Sequence, residues 1–153
     1  MPDCFISYSS VDNTLAQFVN QELTRQGLTV FMASMSLKAG DNWSEMILEN
    51  LRASSWIIFL ASREACKSAY VLQETGMAVI LGKKLVPIVW DIDPAELPGW
   101  VNRHQALNLK NATVEQIPAQ IAQIAEAVKQ DKNKGIVIAG ALILGLLWLG
   151  NKS

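Results

Sequence analysis

Short apolar runs alternate with helical segments along most of this chain, and this alternation restricts the possible fold more than any other feature. Runs of four to eight apolar residues bounded by turn residues predict buried strands, and apolar side chains at helical spacing predict helices. The predicted strands are 4–8, 28–32, 56–60, 85–90 and 106–109, with helices after Ser10, over 43–53, over 70–81 and through 117–128. Such alternation predicts an α/β domain, with a parallel sheet covered by helices on both faces.

The order of the strands locates a crevice. Right-handed crossovers restrict the topology, and five strands of this size favour the flavodoxin-like order 2-1-3-4-5. In that order the chain reverses direction between strands 1 and 3, which opens a ligand-binding crevice at the carboxyl ends of the strands. Ser9 and Ser10 follow the first strand and Glu74 follows the third. We therefore expect these three residues around one crevice.

Glu74 is the main catalytic candidate. It lies one turn into the predicted helix 70–81, and Tyr70 lies one turn before it. The sequence has neither a GxGxxG fingerprint nor a P-loop. A carboxylate beside an aromatic ring suits cleavage of a glycosidic bond with a good leaving group, because an oxocarbenium-like centre needs nearby negative charge. Nicotinamide leaving from ribose is one such case. The alternative is an exposed helical glutamate, with Tyr70 in the core.

Charge, cysteine and histidine content argue against several other functions. A net charge of −1 gives no electrostatic basis for binding nucleic acid. Cys4 and Cys66 are far apart and lack ligand-like spacing, which predicts reduced, buried thiols in a cytosolic domain. The single histidine, His104, argues against a His-rich metal site and a Ser-His hydrolase. We therefore predict neither a metal nor a cofactor.

Several segments resemble those of bacterial TIR (Toll/interleukin-1 receptor) domains over about residues 3–130. Residues 4–10 with Asp12 resemble the opening strand motif of that family. Residues 27–31 and 37–43 resemble the second strand and the loop that follows it. Residues 68–74 resemble the Ser-x-Trp-Cys-x-x-Glu segment. The ordered set is more specific than any one of these motifs.

The resemblance implies a substrate and a catalytic residue. In the enzymatic branch of the family, NAD+ is the substrate and is cleaved at the nicotinamide–ribose bond, and the catalytic glutamate falls on Glu74. The products would be nicotinamide and ADP-ribose, or a cyclised or conjugated form. Such domains are usually active only when assembled, through the loop after the second strand, where Leu37 and Gly40 lie. A homo-oligomer or filament is therefore expected.

The remaining substrate-binding candidates each have a structural alternative. Ser9 and Ser10 offer hydroxyl contacts but are also potential helix N-caps. Phe31 lies at a predicted strand end, where core packing is the more frequent role, and Trp43 starts a predicted helix, where packing is the alternative.

The chain departs from the family pattern at three positions. Tyr70 stands where Trp is frequent, but its ring keeps a flat face for stacking. Val71 replaces a cysteine, which changes core packing only. Ala33 replaces an acidic residue after the second strand, which predicts weaker ordering of the loop or weaker substrate contacts.

Residues 135–150 contain no polar side chain. As a helix this segment would span about 24 Å, slightly less than a hydrocarbon core of about 30 Å. More lysines precede the segment than follow it, which places the preceding domain in the cytoplasm under the positive-inside rule. The resulting organisation is a TIR domain over 1–130, a polar linker over 131–134, a single transmembrane helix over 135–150 and a short tail over 151–153. A buried core helix is the alternative.

Two main hypotheses of function follow. The first is a membrane-anchored NAD hydrolase or cyclase that clustering activates, with a role in bacterial anti-phage defence. The second is a non-catalytic adaptor that recruits other TIR proteins at the membrane. A third hypothesis makes the apolar tail itself the effector, acting on the membrane when the domains assemble.

Overall fold

The computed structural model describes residues 2–34, 45–67, 82–97 and 106–134. Its strands are β1 (Cys4–Tyr8), β2 (Val30–Ser34), β3 (Trp56–Leu60), β4 (Lys84–Val89) and β5 (Leu107–Asn108). Its helices are α1 (Asn13–Arg25), α2 (Glu45–Ala53), α3 (Arg63–Lys67) and α4 (Gln116–Lys134), with short 3-10 helices at Ser10–Asp12 and Pro94–Glu96.

The five strands form one parallel sheet in the order β2-β1-β3-β4-β5. The predicted flavodoxin-like order 2-1-3-4-5 is therefore confirmed. Tyr8 pairs with Ser34 on one side of β1, and Ser7 pairs with Phe59 on the other. Because all strands run in the same direction, their carboxyl ends meet at one edge of the sheet. The loops after β1, β3 and β4 are thereby brought together.

The sheet is buried on both faces, as the sequence predicts. Alternate residues of β1 show this, because Ile6 belongs to one buried cluster and Phe5 to the other. The Ile6 cluster contains buried side chains of α1 and α4, whereas the Phe5 cluster contains those of α2 and α3. The helices therefore cover both faces, in the pairs α1 with α4 and α2 with α3.

A Schellman motif ends α1 and shifts the start of β2. Gly27 adopts φ 90°, a conformation that glycine accepts without a Cβ penalty. The Gly27 N–H donates to Thr24 O at 2.9 Å, and the Leu28 N–H donates to Leu23 O at 3.2 Å. Leu28 is therefore part of the helix cap, so β2 covers Val30–Ser34 rather than the predicted 28–32.

The last turn of α4 is fixed to the amino ends of β3 and β4. The Trp56 indole N–H donates to Asp131 Oδ2 at 2.8 Å, and Lys84 Nζ lies 3.0 Å from Asp131 Oδ1. Lys84 Nζ also lies 5.1 Å from the centroid of the Trp56 ring. The structure thus differs from the predicted linker over 131–134, because these residues belong to α4. Within this segment, Asp131 contacts the residues at the amino ends of β3 and β4.

The predicted single-pass membrane localisation is wrong on the evidence of the described helices. Across residues 2–34, 45–67, 82–97 and 106–134, no helix is both long and apolar enough to cross a bilayer. The 19-residue α4 buries Ile121 and Ile124 against the sheet but carries charged residues such as Glu126 and Lys129. The segment 135–150, on which the prediction of a spanning helix rests, lies outside the described residues.

Asp3 makes a second contact with the end of α4. Its Oδ1 lies 3.2 Å from Lys132 Nζ, and its Oδ2 accepts hydrogen bonds from the Thr29 N–H at 3.0 Å and the Thr29 hydroxyl at 3.1 Å. Burial acts to raise the pKa of Asp3, but the hydrogen bonds from Thr29 and Lys132 outweigh it and hold the pKa below 3.8. Asp3 therefore stabilises the fold as a carboxylate.

Replacing Asp3 with asparagine is expected to lower the free energy of unfolding by about 1 kcal/mol at pH 7. Because the folded-state pKa is depressed, this contribution is fully present above pH 3.8 and is lost as the pH falls through the folded value. Urea unfolding at pH 7 and near pH 3 measures the difference. Glu115→Gln, at an exposed carboxylate, is the control. A destabilisation that does not depend on pH would contradict the assignment.

Candidate active site

Polar side chains follow three neighbouring strands at the carboxyl edge of the sheet. Asp12 lies in the short 3-10 helix after β1, Ser62 follows β3, and Asp91 follows β4. The strand order places β3 between β1 and β4, so Ser62 lies in the centre of this group. This edge is where open α/β sheets bind their ligands.

Asp12 and Ser62 join the loops that follow β1 and β3. The Ser62 hydroxyl donates a hydrogen bond to Asp12 Oδ2. Ser62 is 1% exposed, so its hydroxyl depends on protein partners. The Asp12 N–H donates to Ser9 O at 2.8 Å, which ties the carboxylate to the turn that carries Ser9 and Ser10.

The same two loops, with that after β4, hold the start of α3. Ser62 is the N-cap of this helix, and its Oγ accepts the Ala65 N–H at 3.0 Å. The Arg63 N–H donates to Asp91 Oδ1 at 3.0 Å, and Arg63 Nη2 donates to Asp91 O at 3.3 Å. Two N–H groups that a helix start leaves without intrahelical partners are thereby satisfied. The first turn of α3 is fixed from both sides.

The electrostatics of this edge are dominated by carboxylates. Burial raises the pKa of Asp12, as do the charges of Asp91 and Glu64, while the Ser62 hydrogen bond acts to lower it. Burial, with a smaller contribution from Asp91, raises the pKa of the Cys66 thiol to about 11. Cys66 is therefore protonated at neutral pH, which argues against a nucleophilic role.

Ser9 and Ser10, two of the predicted substrate contacts, follow β1 at the carboxyl edge of the sheet. Ser9 is partly buried and its side chain makes no capping hydrogen bond, while Ser10 is exposed. Ser9 therefore stands at the N-cap position of the 3-10 helix without capping it through its side chain. Their role in binding substrate stays a prediction.

Phe31 lies inside β2 rather than at its carboxyl end. Its ring stacks on Phe5, with the centroids 5.6 Å apart and an interplanar angle of 28°. It packs against the core between the sheet and α2. The core alternative accounts for these contacts, and a role in substrate binding remains a prediction.

Five of the predicted site residues lie outside the described residues. These are Glu74, Tyr70, Trp43, Leu37 and Gly40.

Neither Ser62 nor Asp91 was assigned a role from the sequence. Their position in the sequence could have indicated a role. Asp91 directly follows one predicted strand and Ser62 comes two residues after another, and the carboxyl ends of these parallel strands lie at the same edge as that of β1. Asp12 was recognised as part of the opening strand motif, but no function was assigned to it.

An apolar groove of about 440 Å³ lies on the other side of Asp12, between α1 and the start of α4. Asp12 and Thr14 are its polar residues, and Val11 and Val114 are exposed at 68% and 80%. The groove offers little to phosphates or riboses, because those groups need hydrogen-bond donors and charge. We therefore place the candidate active site at the Asp12–Ser62 edge. The groove is lined by Val11, Asp12, Thr14, Leu15, Phe18, Trp90, Val114 and Ile117.

The strand order and the sheet buried on both faces define a flavodoxin-like α/β domain, and polar side chains follow its strands at the carboxyl edge. The chain belongs to the TIR domain family, whose sequence model matches residues 4–128. The crystal structure of the TIR domain of Toll-related receptor TRR-2 from Hydra magnipapillata has the same fold. It aligns with a TM-score of 0.68 at 17% identity, over 84% of this chain and 99% of that one.

Two curated relatives carry the same description. The probable 2' cyclic ADP-D-ribose synthase BdTIR of Brachypodium distachyon is 33% identical over 97 residues, which is 62% of this chain and 43% of the relative. The probable 2' cyclic ADP-D-ribose synthase TcpO of Methanobrevibacter olleyae is 28% identical over 139 residues, 86% of this chain and 40% of the relative. The chain thus spans less than half the length of each of these relatives.

Proposed function

We propose that this TIR domain cleaves NAD+ at the nicotinamide–ribose bond, with Glu74 as the catalytic carboxylate and a cyclic ADP-ribose as the main product. The similarity to BdTIR and TcpO carries this proposal, because both are described as probable 2' cyclic ADP-D-ribose synthases. Glu74 lies within the residues that match the TIR family. The crevice beside Ser9 and Ser10 is the place where its substrate would bind.

The proposed reaction needs few groups from the protein. The bond between ribose C1' and the nicotinamide nitrogen breaks, and nicotinamide leaves with the bonding electrons. The Glu74 carboxylate stabilises the positive charge that develops on the ribose. A hydroxyl of the ADP-ribose moiety then bonds to C1' and releases its proton, which gives a cyclic product. Attack by water instead gives ADP-ribose.

The test is NAD+ turnover by the full chain at high local concentration, for example on a liposome or bead that clusters a tagged protein. We expect nicotinamide release together with a product that has the mass of ADP-ribose less water. Linear ADP-ribose alone would overturn cyclisation but not bond cleavage. No nicotinamide release from clustered protein would overturn the enzyme and favour the adaptor hypothesis.

We propose that activity requires a homo-oligomer, because residues 37–43 resemble the loop through which TIR domains assemble. Gly40→Pro, in the predicted assembly loop, is expected to reduce both self-association and NAD+ turnover, because proline fixes φ and removes a backbone donor. Sedimentation and nicotinamide release at equal protein concentration measure the two effects. Full turnover by a variant that stays monomeric would contradict the requirement for assembly.

In a cell, the proposed reaction would act as anti-phage defence by depleting NAD+ or by making a nucleotide signal. The cellular NAD+ content after phage challenge, in cells with and without the protein, tests this part of the proposal. An unchanged NAD+ content and no new cyclic nucleotide would overturn it.

A further inference from the structure

We infer that Asp12 and Ser62 are positioning residues for the proposed NAD+ cleavage, and that their hydrogen bond holds the first turn of α3 against the loop after β1. The inference rests on the proposed function, but the contacts that carry it lie in described parts of the chain. Neither residue is required to touch the reacting atoms. Both would act through the segments that they hold.

The first step is the link from Asp12 to the loop after β1. The Asp12 N–H binds Ser9 O at 2.8 Å, and the Asn13 N–H binds Ser10 O. These bonds close the 3-10 turn. Asp12 therefore moves together with Ser9 and Ser10, the predicted substrate contacts on this side of the crevice.

The second step is the direction of the Ser62 hydroxyl. An ionised carboxylate only accepts hydrogen bonds, so the Ser62 proton points to Asp12 Oδ2 and a lone pair of Oγ remains for the Ala65 N–H. One serine thus joins the β1 loop to the first turn of α3.

The third step is the second tie of α3. Asp91 binds the Arg63 N–H from the loop after β4, on the opposite side of β3 from Asp12. The first turn of α3 is therefore held by carboxylates from two loops. From α3 the chain continues toward Glu74. A displacement of α3 would move Lys67, the last described residue before Glu74, relative to Ser9. Misplacement of a catalytic group by about 1 Å can reduce a rate about 10²-fold.

The test compares kcat and KM for NAD+ in four variants of the clustered full chain. Ser62→Ala and Asp12→Ala are expected to lower kcat by about 10- to 100-fold, with KM changed much less, because geometry in the transition state is affected most. Asp12→Asn keeps an acceptor oxygen and is expected to lose clearly less than Asp12→Ala. Ser54→Ala is the matched control, since Ser54 is fully buried and binds Asn50 O at 2.6 Å at the amino edge of the sheet.

Amide hydrogen exchange gives a measurement that does not depend on turnover. Ser62→Ala should speed exchange at Ala65, whereas Ser54→Ala should leave Ala65 protected. If the wild type cleaves NAD+ while Ser62→Ala and Asp12→Ala keep its kcat, the inference fails and the proposed function stands. If Asp12→Asn is as impaired as Asp12→Ala, Asp12 acts through its charge and the positioning role is overturned. If the wild type itself does not cleave NAD+, both fall together.

Discussion

Glu74→Ala is expected to lower kcat for NAD+ cleavage by about 10³-fold, with little change in KM. The reason is that a carboxylate beside the ribose stabilises charge that exists only in the transition state, and one such electrostatic contact contributes about 10²- to 10³-fold. Nicotinamide release by the clustered full chain measures the effect. Glu74→Gln should be nearly as impaired, because it keeps the shape of the side chain and removes its charge.

The matched control is Glu64→Ala. Glu64 is an exposed carboxylate on α3, paired with Lys67 at 3.3 Å. Exposed pairs of this kind contribute little to stability, about 0–1 kcal/mol, so this variant should keep its fold and its turnover. Equal turnover by Glu74→Ala and the wild type would remove Glu74 from the mechanism and, with it, the assignment of the crevice as an active site.

Asp131→Ala is expected to lower the free energy of unfolding by about 2–4 kcal/mol, since it leaves a half-buried lysine and an indole N–H without their acceptor. The carboxylate that is removed binds Trp56 Nε1 at 2.8 Å and lies 3.0 Å from Lys84 Nζ. The side chains of Asp131 and Lys84 are 10% and 22% exposed, so water replaces the lost contacts poorly. Chemical denaturation of the wild type and the variant gives the difference.

Lys132→Ala controls for a change in helix charge at the next position. Its side chain is 63% exposed and pairs with Asp3 at 3.2 Å. Loss of this pair should cost at most about 1 kcal/mol. If Asp131→Ala costs no more than Lys132→Ala, then the contacts with Trp56 and Lys84 do not stabilise the end of α4.

The positions of β1 and β3 could be predicted because each is a run of mostly apolar residues covered on both faces, and the strand order then followed from the restriction on crossovers. The runs 4–8 and 56–60 coincide with β1 and β3. The start of β2 was misplaced because Leu28 is as apolar as a strand residue, although it belongs to the α1 cap together with Gly27. Periodicity does not distinguish a cap residue from the first residue of a strand.

The contacts between loops could not be predicted in the same way. Ser62 and Asp12 are distant in sequence, and their bond exists only because β1 and β3 are neighbours. The helix α3 has five residues, too few for helical periodicity to appear. The polar residues 131–132 resembled a linker because their partners are distant in sequence, so that no local pattern reveals the contacts. Lys132 pairs with Asp3, and Asp131 binds Trp56 and Lys84.

The course of α4 determines where a tag can be attached without blocking the candidate active site. The helix starts after β5, near the edge where Asp12 and Ser62 meet, and ends beside the first residues of β3 and β4. Its 19 residues span about 28 Å. A fluorescent protein, surface linker or oligomerising tag joined after Lys134 would therefore be attached near the amino edge of the sheet, opposite the carboxyl edge where Asp12 and Ser62 lie. The crevice would face away from any such support and stay open to substrate.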